Sequence, residues 1–351
     1  MTSSPPEAPS GPESAQKGTA GPPLTHRVQP LPKRILLAPA TRIFAVLVGL
    51  LVVFSALAPG AFPTVNNFVN IASDAAILLV LAAGSTYVII TAGIDLSING
   101  VVVFSGVIAA IIMSDVGGQS IGVLLLGLVG ALLSGFAWGL LNGFLIAKGS
   151  IPPLIVTLGT LGASLGLALV FTHGVDVSSV PLTLVTSVGS GKIVGVPWLV
   201  VISCAVALVL GLVLAYTRFG RYTYAIGSNA EALRRAGVNT SRHLIRVYAL
   251  AGLMSGLAGY LSLARFATTT LGGHSTDNLQ TIAGVVIGGT SLFGGVGTMI
   301  GSVIGIIIPA VLQNGFVVYD IQPFWQQVAV GVVLVLAVYL DQLRRRSRNR
   351  S

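Results

Sequence analysis

Of the 351 residues, 54% are hydrophobic and only 8% charged, against about 25% charged in an ordinary soluble domain; a soluble fold is excluded. The net charge of +9 would suit a polyanion, but the basic residues gather in the N-terminal tail, in the run Arg218 to Arg246 and in the final RRRSRNR. Those are positions flanking membrane spans, so topology explains the charge without nucleic acid.

Residues 1 to 34 hold eight of the seventeen prolines together with Ser, Gly and Thr, a composition too poor in apolar surface to fold. We expect a disordered cytoplasmic tail over 1–38. The first apolar stretch starts only after Lys33 and Arg34, too late for a cleaved signal peptide, so the first span should be retained. Hydrophobic segments then follow near 42–58, 68–91, 98–114, 120–147, 154–172, 197–216, 244–264, 279–293, 297–315 and 322–341. Each is near the roughly 20 residues that cross a bilayer. The expected fold is all-α: a polytopic membrane protein with about ten transmembrane helices in a permease domain over 39–342 and a basic cytoplasmic tail over 343–351. The eighth segment is short and glycine-rich and could be re-entrant, and 120–147 is long enough to tilt or break. Gly297, Gly301 and Gly305, then Gly252 and Gly256, then Gly162 and Gly166 have the spacing of close helix packing. The lone Cys204 reads as a small buried hydrophobe.

The most polar interior stretch, over 217–243, separates the sixth and seventh spans. The run from Arg218 to Arg246 that includes it carries six of the nineteen Lys and Arg residues, Arg218, Arg221, Arg234, Arg235, Arg242 and Arg246, against the single acid Glu231. The positive-inside bias makes it cytoplasmic. Six spans before it and four after it place both tails on that same side. Ser228-Asn229-Ala230-Glu231 reads as a capping box and Gly237 as a helix stop. A helix of about two turns is marginal alone, so a surface of this chain or of another protein must hold it. An ordinary charged loop is the alternative.

The chemistry of a self-powered enzyme is missing. VGSGKI at 188–193 lacks the earlier Gly and the Ser or Thr of a phosphate-binding loop. HExxH, GxSxG and paired cysteines do not occur, and His26, His173, His243 and His274 lie in tails, loops or span edges. We therefore expect a non-catalytic transport subunit with no cofactor and no metal. Polar residues at membrane depth are costly and usually face a cavity or partner. The candidates are Asp74, Asn142, Thr157, Thr160, Ser164 and Asn314, with Gln313 beside the last. Asp74 is equally readable as a structural hydrogen-bonding group, and Asp95 in GIDLS as a helix cap. Hydroxyls and amides with few charges suit a neutral polar solute better than an ion.

Four stretches read together, GIDLSINGVV at 93–102, VTLGTLGASLGLALVFTHG at 156–174, GRYTYAIGSNAEALRRAGVN at 220–239 and IAGVVIGGTSLFGGVGTMIGSVIGI at 282–306. This set resembles the permease subunits of bacterial ATP-binding-cassette importers for monosaccharides of the ribose, xylose and galactose type. The resemblance covers about residues 40 to 342. It implies a subunit of the bacterial cytoplasmic (inner) membrane with both termini cytoplasmic. Its partners would be two cytoplasmic ATP-binding-cassette subunits that hydrolyse ATP, a second permease subunit, identical or not, and an extracytoplasmic solute-binding protein. By this likeness the ATPase-coupling role falls on Glu231, Ala232, Arg234, Arg235 and Gly237, in a short helix seated in an ATPase cleft. Gly93, Asp95, Leu96 and Ser97 form a family signature near the inner face. The long N-terminal tail departs from the family. Permeases of similar layout for branched-chain amino acids or nucleosides, and a proton-coupled secondary transporter using Asp74, are the rival readings.

Overall fold

A computed structural model describes residues 39–322, together with Thr2 and isolated positions between 325 and 342. The expected tails over 1–38 and 343–351 otherwise lie outside the described residues, as does most of the expected tenth span. The described residues include ten helices: α1 Pro39–Leu57, α2 Val65–Ile90, α3 Ile98–Val116, α4 Ile121–Ala147, α5 Pro153–Thr172, α6 Trp198–Tyr216, α7 Arg218–Arg235, α8 Thr240–Phe266, α9 Asp277–Ile287 and α10 Met299–Val318. Between α5 and α6 lie a short helical turn and a two-stranded hairpin, β1 Lys192–Ile193 with β2 Val196–Pro197. Their start points are set by side-chain caps: Thr64, Ser120, Thr217, Asn239 and Thr298 each accept a backbone N–H from the first turn of the helix that follows, satisfying donors that the helix cannot.

Among the described residues seven helices are long and apolar enough to cross a membrane, α2 to α6, α8 and α10, with a shorter apolar stretch in α1. They form a multi-pass membrane bundle. The core is α2: 94% of its most apolar stretch is buried, against 22% for α4. Helices α6, α8, α9 and α10 pack around it, while α4, α5 and α6 turn residues such as Leu133, Val170 and Leu208 outward, as a lipid-facing rim requires. Helix α4 is continuous over 27 residues and does not break.

The α4–α8 contact is built from glycine. A Cβ on Gly252 would fall on the Gly135 carbonyl and 2.7 Å from the Gly139 Cα, and one on Gly143 would meet the Ile245 Cα at 2.7 Å. Backbones touch because no side chain stands between them. The expected Gly252 and Gly256 pairing thus finds its partner in Gly135 and Gly139. The Gly297, Gly301 and Gly305 series also packs: Gly301 faces Gly288 and Gly305 faces Gly284 across α9 and α10. The third expectation fails: Gly162 and Gly166 have nothing within 4 Å and lie on the outer surface of α5. Cys204 is another correction; it is exposed rather than buried.

The eighth expected span, 279–293, is reduced to α9, 11 residues or about 16 Å long, too short to cross a bilayer. It runs antiparallel to α10, and the connection 288–298 completes the hairpin without helix. Gly289, Gly294 and Gly295 hold positive φ there, from 74 to 91°, a conformation that Cβ-bearing residues resist. The end of the bundle carrying α7 is called the basic end below.

Candidate functional site

Helix α7 is two helices joined at a kink. Gly220, Thr223 and Ile226 bury the first half against the bundle, Thr223 meeting His243 Nε2 at 2.9 Å. At Asn229 the backbone becomes extended (φ −161°, ψ 91°) and its side-chain oxygen accepts the Ala232 N–H at 2.9 Å. Asn229, not Ser228, is therefore the cap of the short second helix. Ser228 stays in the first half, donating to the Tyr224 carbonyl at 3.0 Å, and Glu231 turns away from the cap to Arg234 at 2.7 Å and Arg235 at 3.3 Å. These exposed pairs are worth about 0–1 kcal/mol. The stop at Gly237 is as expected: φ is +82°, and Gly237 and Val238 return their N–H groups to Arg234 and Leu233, the two-bond pattern of a glycine C-cap. Glu231, Ala232, Arg234, Arg235 and Gly237 are all exposed, a small protruding piece on a buried base.

That base is tied to two other elements. The Tyr224 hydroxyl donates to the Gly297 carbonyl at 2.8 Å, and Gly295 donates to the Ile90 carbonyl at 2.8 Å. Gly227 lies so close that a Cβ there would fall on the Ile90 carbonyl and 2.4 Å or less from backbone is left for it beside Gly295. The protrusion thus rests on the last residue of α2 and on the connection that leads into α10.

The GIDLS stretch bridges α2 and α3. Asp95 Oδ1 accepts from the Ser97 N–H at 2.9 Å and the Ser97 hydroxyl at 2.6 Å, closing a turn before α3 rather than serving as the helix cap expected of it; the cap position is Ser97, which makes no side-chain cap bond. Burial pushes the Asp95 carboxyl above the usual carboxylate range, and the Ser97 hydrogen bonds oppose that shift. The chain of donors continues: Asn142 Nδ2 donates to Ser97 Oγ at 2.8 Å and the Thr160 hydroxyl to Asn142 Oδ1 at 2.8 Å. Gly93 is needed because a Cβ there would come 2.5 Å from the Tyr248 hydroxyl, and Leu96 packs against the core. Asn142, Thr157, Thr160 and Ser164 are buried and lock α4 and α5 to α3. They do not join Asp74.

Asp74 lies toward the opposite end of the bundle, where a cavity of about 320 Å³ is lined by Asp74, Thr270, His274, Asp277, Gln280 and Gln313. The volume is near the lower end of the range of about 300–1,000 Å³ usual for small-molecule sites. Ile77, Leu78 and Phe266 form its apolar wall. Arg265 holds Asp74 through Oδ1, at 3.1 and 3.2 Å. His274 Nδ1 pairs with Asp277 Oδ2 at 2.6 Å, and its Nε2 pairs with the Ser262 hydroxyl at 2.8 Å. Asn314, adjacent to Gln313, does not line the cavity. Sequence reasoning missed Thr270, His274, Asp277 and Gln280; of these only Asp277 and Gln280, three apart in α9, share a helical face. A larger groove of about 520 Å³ between α6 and α10 is almost wholly apolar and has no such cluster.

A bundle of lipid-facing helices around a polar cavity, with an exposed basic protrusion at the other end, defines a membrane permease. Residues 67–338 match the family model described as the permease component of a branched-chain amino acid transport system, and the chain belongs to that family. It is 36% identical over 302 residues to the ribose import permease protein of Escherichia coli K12, covering 85% of this chain and 92% of that one. The Bacillus subtilis ribose import permease protein is 37% identical over 295 residues, 84% and 89% of the two chains. The fructose import permease protein of Rhizobium meliloti is 33% identical over 317 residues, 88% and 87%. No solved structure matches.

Proposed function

We propose that this chain is the membrane-spanning subunit of an ATP-binding-cassette importer and forms the translocation pathway for a monosaccharide. The observation that carries the reading is the likeness, over nearly the whole chain, to permeases named for ribose, allose and fructose import. Cavity chemistry favours the same cargo over a branched-chain amino acid. An amino acid carboxylate would meet Asp74 and Asp277, Arg265 beside the cavity is already engaged by Asp74, and the positive end of α9 is met by its own Asp277, leaving no free anion site there among the described residues.

In this reading the basic end is cytoplasmic, both termini lie there, and the membrane is the bacterial cytoplasmic one. One of two ATPase subunits grips the protrusion from Asn229 to Gly237, a second permease subunit completes the channel, and an extracytoplasmic binding protein delivers the sugar. ATP hydrolysis belongs to those partners. Movement of the protrusion reaches α2 through Ile90 and the α9–α10 hairpin through Gly295 and Gly297. The far ends of those same elements carry Asp74, Asp277, Gln280 and Gln313, so a lever at one end reshapes the cavity at the other. Coupling requires the ATPases to bind the two states unequally.

The test is reconstitution in liposomes with labelled ribose, allose and fructose. Uptake of one of them that needs the ATPases, the binding protein and ATP supports the reading. Uptake by this chain alone overturns it.

A further inference from the structure

Resting on that importer reading, we propose that the cavity between α2, α8, α9 and α10 is a sugar-recognition site within the permease itself, and that Gln280 and Thr270 take hydrogen bonds from the sugar's hydroxyls during passage. Gln280 is only 5% exposed, lines the cavity and gives its amide N–H to Thr276 at 3.2 Å, yet its Oε1 has no partner. A buried carbonyl oxygen without a donor is rare in a folded protein and calls for an explanation. The Thr270 hydroxyl on the same cavity is also unpartnered.

The two acids extend the pattern. Arg265 occupies one oxygen of Asp74 and His274 one oxygen of Asp277, so each carboxylate keeps its other oxygen available. Three acceptors and a hydroxyl thus line one space together with Ile77, Leu78 and Phe266. Acceptors and apolar side chains in one cavity complement a sugar ring, which donates O–H groups around its edge and presents C–H groups on its face. A solute bearing a carboxylate or phosphate would find acceptors where it needs donors. The site therefore gives the permease its own selectivity, in addition to that of a delivering protein.

The experiment uses the complete importer in liposomes with ribose, allose and fructose as probes, and reads sugar moved per ATP hydrolysed. Gln280→Met keeps the shape and removes the acceptor; the ratio is expected to fall at least tenfold. Gln280→Glu restores an acceptor and is expected to stay within threefold of the parent, and Thr270→Val to fall at least threefold. Melting temperatures of the purified complexes identify any variant that fails to fold, in which case Thr270→Val decides. A ratio for Gln280→Met within twofold of the parent, or equal losses for Met and Glu, overturns the assignment while wild-type uptake continues. A wild-type complex that moves none of the three sugars overturns the importer reading and the assignment together.

Discussion

The Tyr224 hydroxyl and the Gly297 carbonyl, 73 residues apart in sequence, are joined by a 2.8 Å hydrogen bond that fastens the basic-end helix to the connection entering α10. Tyr224→Phe removes the donor and little else. A hydrogen bond of this kind contributes about 1 kcal/mol, which is about fivefold in an equilibrium. We expect ATP hydrolysis to persist and sugar moved per ATP to fall about fivefold, read by parallel phosphate release and uptake in proteoliposomes.

Glycine contacts make a second prediction with an internal control. At Gly252 a leucine must force α4 and α8 apart, because backbone lies within 2.7 Å of the first added carbon; overpacking costs about 1–3 kcal/mol and more where backbone cannot yield. At Gly162 nothing lies within 4 Å, so leucine is expected to change stability by less than about 0.5 kcal/mol. Thermal melting of the purified chain in detergent should separate the two.

The network from Thr160 through Asn142 and Ser97 to Asp95 should behave as a unit. Asn142→Leu removes one partner each from Ser97 and Thr160, which keep the Asp95 carboxylate and the Val156 carbonyl, so the cost is about 0.5–1.5 kcal/mol per lost bond. Once Asn142 is gone, Thr160→Val should cost less than it does alone. A double-mutant cycle on melting midpoints checks this; additive losses would mean that the bonds act separately.

Asp74 is committed to Arg265 rather than poised alone in the span. The pair is partly exposed, 24% for the arginine and 49% for the aspartate, so Arg265→Ala should cost no more than about 1 kcal/mol. ATP-driven uptake should continue unchanged when a protonophore collapses the proton gradient. Uptake that stops under the protonophore would favour the secondary-transporter reading.

Hydropathy made the long helices legible, since about 20 apolar residues admit few other fates. The short α9 was legible as glycine-rich but not as a half-helix, because its length depends on the backbone that Gly289, Gly294 and Gly295 allow. Ser228 and Asn229 are both good caps, and only the close approach of Gly295 and Ile90 keeps Ser228 helical. The Gly162 and Gly166 spacing suggested a contact that is absent here, because spacing says a surface is small and not what meets it. Asn142, Thr160 and Ser97 looked like separate polar sites; their pairing bridges three helices and has no local signal. The cavity was the hardest to see, since Asp74 and Arg265 are 191 residues apart and His274 read only as a residue of a loop or span edge.

The central claim is that the bundle is worked through the protrusion ending at Gly237. Its φ of +82° is closed to proline, whose ring fixes φ near −65°, so Gly237→Pro should disorder the protrusion and leave the bundle intact. Measured in the complete complex, with phosphate release and sugar uptake followed together, this variant is expected to lose sugar uptake at least tenfold while the melting temperature of the bundle holds. Full uptake by Gly237→Pro, or by the double variant Arg234→Glu, Arg235→Glu, would contradict the account.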